Sequence, residues 1–162
     1  NEYGMLDCDK EFIEEVKELK PDVIISFSAP QIIKEPLLSL PEHGILNVHG
    51  SYLPNYRGCM PSFWYTLNDE DYAGATVHYM SKEIDDGDII AQDKVYVGDC
   101  DSMFQLMKKT KKIGGEMMIK AINDIKNGTL EIMKNDASKG NYFSWPTKED
   151  GKRFRKEGKK LI

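Results

Sequence analysis

The feature that most constrains this chain is a short apolar run, Val23-Ile24-Ile25, which follows Pro21 and opens into Ser26-Phe27-Ser28-Ala29. A strand apolar on both faces is stable only where both sides of its sheet are covered, as in parallel α/β sheets. Its neighbours fit that arrangement. Phe12, Ile13, Val16 and Leu19 recur at helical spacing behind Asp9, a residue suited to capping, and Pro21 ends the helix. Residues 32–40 read as a second, shorter helix interrupted near its start by Pro36, and residues 44–48 as the next strand. The order helix, strand, helix, strand is that of α/β winding.

Residues 50–61 are rich in Gly, Pro, Asn and Tyr and read as irregular, with a short helix over 62–67. Residues 73–80 and 88–97 are rich in strand formers, and Asp85-Asp86-Gly87 between them supplies a turn, so they form an antiparallel hairpin. Asp101 caps the longest helix, which carries Phe104, Leu106, Met107, Ile113, Met117, Met118, Ala121, Ile122 and Ile125 and stops at Gly128. From Lys134 the chain is polar, with an aromatic knot at Tyr142, Phe143 and Trp145 and a basic end. The expected fold is α/β and Rossmann-like: a mostly parallel open sheet, helices on both faces and a C-terminal antiparallel hairpin. One unit spans 1–133, and 134–162 is an extension packed on it or trailing from it. Little chain precedes the doubly apolar strand, so the expectation is a unit truncated at its N-terminus. The sheet edge left open there would favour a homo-oligomer.

Composition enters as a filter. The net charge of -5 argues against a nucleic-acid binder working through overall basicity. No apolar stretch approaches the roughly 20 residues of a membrane span, and no basic-then-apolar leader opens the chain, so a cytoplasmic location is expected. Cys8, Cys59 and Cys100 are odd in number and far apart, which fits neither a disulfide framework nor a thiolate zinc site.

The densest chemistry lies just past a strand, in Asn47, His49 and Ser51. Alternation along an extended chain puts all three side chains on one side. Ligands of open α/β sheets bind beyond the carboxyl ends of the strands. Two readings fit: an amide, an imidazole and a hydroxyl that orient a carbonyl and move a proton, or a polar strand end capping a loop. Arg57 in the loop that follows suits either an anion or a structural role. Asp85 is either an ordinary turn residue or a carboxylate leaning over the neighbouring strand to reach His49, which would favour the imidazolium.

The run from Gly44 to Gly58, with Asn47-Val48-His49-Gly50-Ser51 followed by Leu53-Pro54-Asn55-Tyr56-Arg57-Gly58, resembles the signature of the formyltransferases that use 10-formyltetrahydrofolate. Residues 74–90, with His78 and then Asp85-Asp86-Gly87, are similar to that family's second signature. The family includes methionyl-tRNA formyltransferase, glycinamide ribonucleotide transformylase and sugar N-formyltransferase types. The resemblance implies that Asn47 and His49 attend the formyl oxygen and that Asp85 tunes the histidine. It implies that Ser28, Ala29, Pro30, Gln31 and Ile32 on one side, and Ser81, Lys82, Glu83 and Ile84 on the other, hold the folate. Ser51, Arg57 and His78 are auxiliary. The donor implied is 10-formyltetrahydrofolate, with no metal. The partner implied is an amine acceptor: methionyl-tRNA, an amino-sugar nucleotide or glycinamide ribonucleotide. The family's first β-α-β unit, which helps bind the acceptor, would precede residue 21. Alternatives are a 10-formyltetrahydrofolate hydrolase, a non-catalytic folate-binding remnant and, more remotely, a metal hydrolase on His49, His78 and Asp85 or Asp88.

Overall fold

A computed structural model describes residues 4–5, 10–29 and 31–162. The element order is β1 (Gly4–Met5), α1 (Lys10–Leu19), β2 (Ile24–Phe27), β3 (Gln31–Ile32), β4 (Ile45–His49), β5 (Arg57–Gly58), α2 (Pro61–Leu67), β6 (Tyr72–Tyr79), β7 (Ile89–Tyr96), α3 (Met103–Asn127), β8 (Tyr142–Phe143) and α4 (Lys148–Lys156). The main sheet runs β2-β4-β6-β7, and β1-β3 and β5-β8 are two small parallel pairs.

The α/β class and the antiparallel hairpin of β6 and β7 are as expected. The main sheet is mixed rather than mostly parallel: β2 and β4 are parallel, whereas β4 and β6 are antiparallel. The cause is the connection. The loop after β4 and the short helix α2 do not cross back over the sheet, as a parallel return requires. The chain therefore re-enters at the carboxyl end of β4, where His49 faces Thr76, and runs the other way.

Alternation along β4 divides the core into two layers. Leu46 and Val48 face α3, where they pack with Val77, Met118 and Ala121. The helix comes close because Gly114 sits over Val48; a Cβ there would lie 2.3 Å from a Val48 methyl. On the other face Ile45 packs with Ile13 of α1 and with Ile33 and Leu37. Asn47 and His49 share that second face, further along the strand.

Several local expectations change. Residues 32–40 do not form a helix; Ile32 belongs to β3, and only Leu37–Ser39 makes a single 3-10 turn. Residues 32–40 contain Pro36, which cannot donate a helical bond. The cap of α3 is Ser102 rather than Asp101: its hydroxyl accepts from the Gln105 N–H, and Gly128 ends the helix with φ 68°. Leu19 and Phe104 are exposed and lie outside the core. The Asp9 cap and Cys8 fall outside the described residues. Strand β2 is an edge of the main sheet among the described residues, and its Ile25 and Phe27 are nearly half exposed, since α3 covers only part of that face. The tail contains a helix that was not anticipated, α4, closed by a capping box between Thr147 and Asp150. No helix among the described residues is long and apolar enough to cross a membrane.

Candidate active site

Three adjacent strands each place a polar side chain in one row. Register sets Ser26 of β2 beside Asn47 of β4, and Asn47 opposite His78 of β6. All three are buried. His49, two residues past Asn47, lies on the same face opposite Thr76.

Hydrogen bonds fix the orientation of these groups. His78 Nδ1 is 2.8 Å from the Tyr79 carbonyl, which makes that nitrogen the donor. His78 Nε2 lies 3.2 Å from Asn47 Nδ2 and 3.6 Å from Asp85 Oδ1, so it accepts from the amide when the ring is neutral and faces the carboxylate as a donor when the ring is protonated. One amide hydrogen of Asn47 can be used there, and the other has no acceptor among the described residues. His49 Nε2 donates to the Tyr56 carbonyl at 2.9 Å, while Nδ1 faces Asp85 Oδ2 at 3.5 Å. Both nitrogens of His49 therefore meet oxygen acceptors, an arrangement that only the doubly protonated ring satisfies fully.

Asp85 stands over both rings. Its Oδ1 is 3.6 Å from His78 Nε2, and Oδ2 accepts from the Gly58 N–H at 2.8 Å. Its backbone is left-handed, with φ 50°. Gly87 completes the turn because any Cβ there would collide with the Tyr79 carbonyl. Burial pushes the Asp85 carboxyl up. The charge on His49, the hydrogen bond and charge of His78 and the Gly58 N–H outweigh burial and bring it down to about 2. A depressed carboxylate contributes stability above its unfolded value, near 4, that is lost as pH falls toward 2. Asp85→Asn is therefore expected to be less stable than the parent by roughly 2 kcal/mol at pH 7, the difference fading between pH 4 and 2. Urea titrations across that range check it, and a difference that does not change with pH would contradict the ion-pair origin.

These groups form the base of a cleft of about 370 Å³. Of the residues that the resemblance assigned to folate, Ser28, Ala29, Ile32, Ser81, Lys82, Glu83 and Ile84 line this cleft. Pro30 lies outside the described residues, and Gln31 is described only as pairing with Gly4 in the β1-β3 ladder. His78, an auxiliary residue by sequence, is in direct contact with Asn47. Ser51 is turned away, its hydroxyl donating to the Asn55 carbonyl at 2.8 Å, so it shapes the loop. Arg57 opens the short strand β5, paired with Tyr142, and its Nη1 lies 3.5 Å from the Ile84 carbonyl. Among the described residues no group of three or more His, Cys, Asp or Glu is placed to hold a metal ion; Asp88 instead pairs with Lys134 at 3.0 Å.

Ser26 escaped the sequence reading. Its hydroxyl is buried without a hydrogen-bond partner in the residue row at the base of the cleft. One signal was available: a serine facing the same side as Asn47 in an otherwise apolar strand.

Fold and site define a class: a Rossmann-like α/β protein whose Asn, His and Asp side chains converge at the carboxyl end of a strand. The profile of the family described as formyl transferase matches residues 5–122, and the chain belongs to that family. It is 34% identical over 144 residues to a methionyl-tRNA formyltransferase of Clostridium tetani, an alignment covering 89% of this chain and 46% of that protein. It is 37% identical over 141 residues to one from Thermotoga maritima, covering 87% of this chain and 45% of that protein. The chain thus spans about half the length of these curated relatives. Among solved structures, an N-formyltransferase from Helicobacter canadensis in complex with folinic acid and dTDP-3-aminofucose superposes with a TM-score of 0.70 at 30% identity, covering 85% of this chain and 49% of that one.

Proposed function

We propose that the chain transfers a formyl group from 10-formyltetrahydrofolate to a primary amine, with Asn47, His49 and Asp85 as the working residues. The observation that carries this reading is the row of buried donors at the cleft base, with the Asp85 carboxylate set over both histidines. The cleft suits a reduced folate. Ile32, Ile33, Met80 and Ile84 supply apolar surface for a flat ring, and the Ser26 hydroxyl is left for a polar atom of it.

When bound, the donor supplies an activated formyl carbon; the protein supplies the environment around it. Asn47 offers its second amide hydrogen to the oxygen that gains charge as an amine attacks. His49, held by the Tyr56 carbonyl, stands beside that oxygen. Asp85, whose carboxylate lies 3.5 Å from His49 Nδ1, accepts the proton that the attacking amine loses, and the leaving nitrogen of the folate takes it up. None of these roles requires a covalent intermediate on the protein.

The acceptor is an amine of the kind named for the relatives: methionyl-tRNA, an amino-sugar nucleotide or glycinamide ribonucleotide. The test is to supply 10-formyltetrahydrofolate with each acceptor in turn and follow tetrahydrofolate release. Turnover with one acceptor, lost in His49→Ala, supports transfer and names the substrate. Equal formate release without any acceptor points to hydrolysis instead. Folate binding without turnover points to a binding module.

A further inference from the structure

The family match ends at residue 122, yet a side chain well beyond it reaches the turn that carries Asp85. Asn135 is buried, and its Nδ2 donates to the carbonyls of Asp85 at 3.1 Å and Gly87 at 3.2 Å. Its backbone N–H lies 3.4 Å from Asp88 Oδ1. The segment is brought there by a two-way bridge between Met133 and Ile89 and by the Lys134–Asp88 ion pair. The other end of the same amide, Oδ1, is buried without a hydrogen-bond partner. Leaving such an oxygen unmatched costs about 1–3 kcal/mol, so stability alone is a poor reason to have an amide here. What the side chain achieves is two donated bonds, one on each side of the turn that presents Asp85.

That turn needs restraint. Asp85 has φ 50°, a region sparsely populated by residues other than glycine. Its carboxylate has to span two imidazoles at 3.5 and 3.6 Å while accepting from Gly58. A small rotation of the turn would lose one ring or the other.

We propose that Asn135 is a positioning residue for Asp85, holding the left-handed turn so that the carboxylate stays over His49 and His78. Asn135 touches none of the reacting atoms; it acts through Asp85. The proposal rests on the formyl-transfer reading and extends it to a part of the chain outside the family match.

The test is a double-mutant cycle on transfer kinetics with Asn135→Ala, Asp85→Asn and the pair. Misplacing a catalytic group by about 1 Å can cost on the order of 10²-fold, so Asn135→Ala should lower kcat by roughly 10- to 100-fold with KM for the folate little changed. In the Asp85→Asn background the same substitution should cost less than roughly 3-fold, since the group it positions is already disabled. Asn135→Asp keeps the volume but cannot donate to two carbonyls, and it should behave like the alanine variant. Full multiplicative loss in the Asp85→Asn background, or an unchanged kcat in Asn135→Ala or Asn135→Asp, overturns the proposal. If the parent protein shows no turnover, the formyl-transfer reading fails separately. The positioning role is then decided by the ring-nitrogen NMR signals of His49 and His78, which must move in Asn135→Asp if the carboxylate has shifted.

Discussion

Asn47→Ala is expected to slow formyl transfer by roughly 10²–10³-fold while leaving the fold intact, the usual cost of removing one donor from a preorganised oxyanion site. The size follows from the position of the amide. Asn47 is buried in the middle strand of its row, with one hydrogen directed at His78 and the other without an acceptor among the described residues. Water has poor access to replace it, so the lost donor has no ready substitute. The truncation also removes the amide beside His78 Nε2, while the Tyr79 carbonyl still holds the other ring nitrogen. Asn47→Asp makes a sharper control. It preserves shape but puts a negative charge where negative charge develops, so it should be at least as slow as the alanine variant. Steady-state rates with saturating folate check both, and a loss below roughly 10-fold in Asn47→Ala would remove the amide from the chemistry.

The residues of the proposed site were legible because their spacing is itself structural. Asn47 and His49 alternate along a strand, so their shared face follows from pleating alone, and the Asp85-Asp86-Gly87 turn follows from the conformations its residues accept. The pairing of Asp85 with His49 was readable as a possibility; its pairing with His78 as well was not. That second contact depends on the antiparallel register of β4 against β6, which no local pattern states. The same holds for the mixed sheet, since strand direction is decided by where the connecting chain re-enters. Residues 32–40 misled because their apolar spacing suits a helix, while Ile33 and Leu37 are in fact buried from a nearly irregular backbone. Ser26 and Asn135 were passed over for a different reason. Each matters through what lies across space from it, and a lone serine in an apolar strand or a lone asparagine in a polar tail carries no spacing to read.

The tail gives the largest stability effect expected here. Phe154→Ala should destabilise the protein by about 3–5 kcal/mol, the range for truncating a buried aromatic. Phe154 is almost wholly buried and stacks on Phe63 with centroids 4.7 Å apart, in a cluster with Leu67 and Met103. Its neighbours fasten the same junction. Arg153 reaches the Leu67 carbonyl, Lys159 pairs with Asp69, and the carbonyls of Lys160 and Leu161 accept from the N–H groups of Met103 and Phe104. Those last two bonds satisfy donors that the first turn of α3 would otherwise leave unmatched. If residues 134–162 belong to the same cooperative unit as the sheet, Phe154→Ala should lower a single melting transition by roughly 10 °C. If they are an appendage, the variant should instead split off an early, small transition and leave the main one in place. The distinction bears on function as well as stability. Met103 lines the cleft and packs on Phe154, and Asn135 holds the turn of Asp85. A tail that melts with the sheet is one whose hold on the site lasts as long as the fold does.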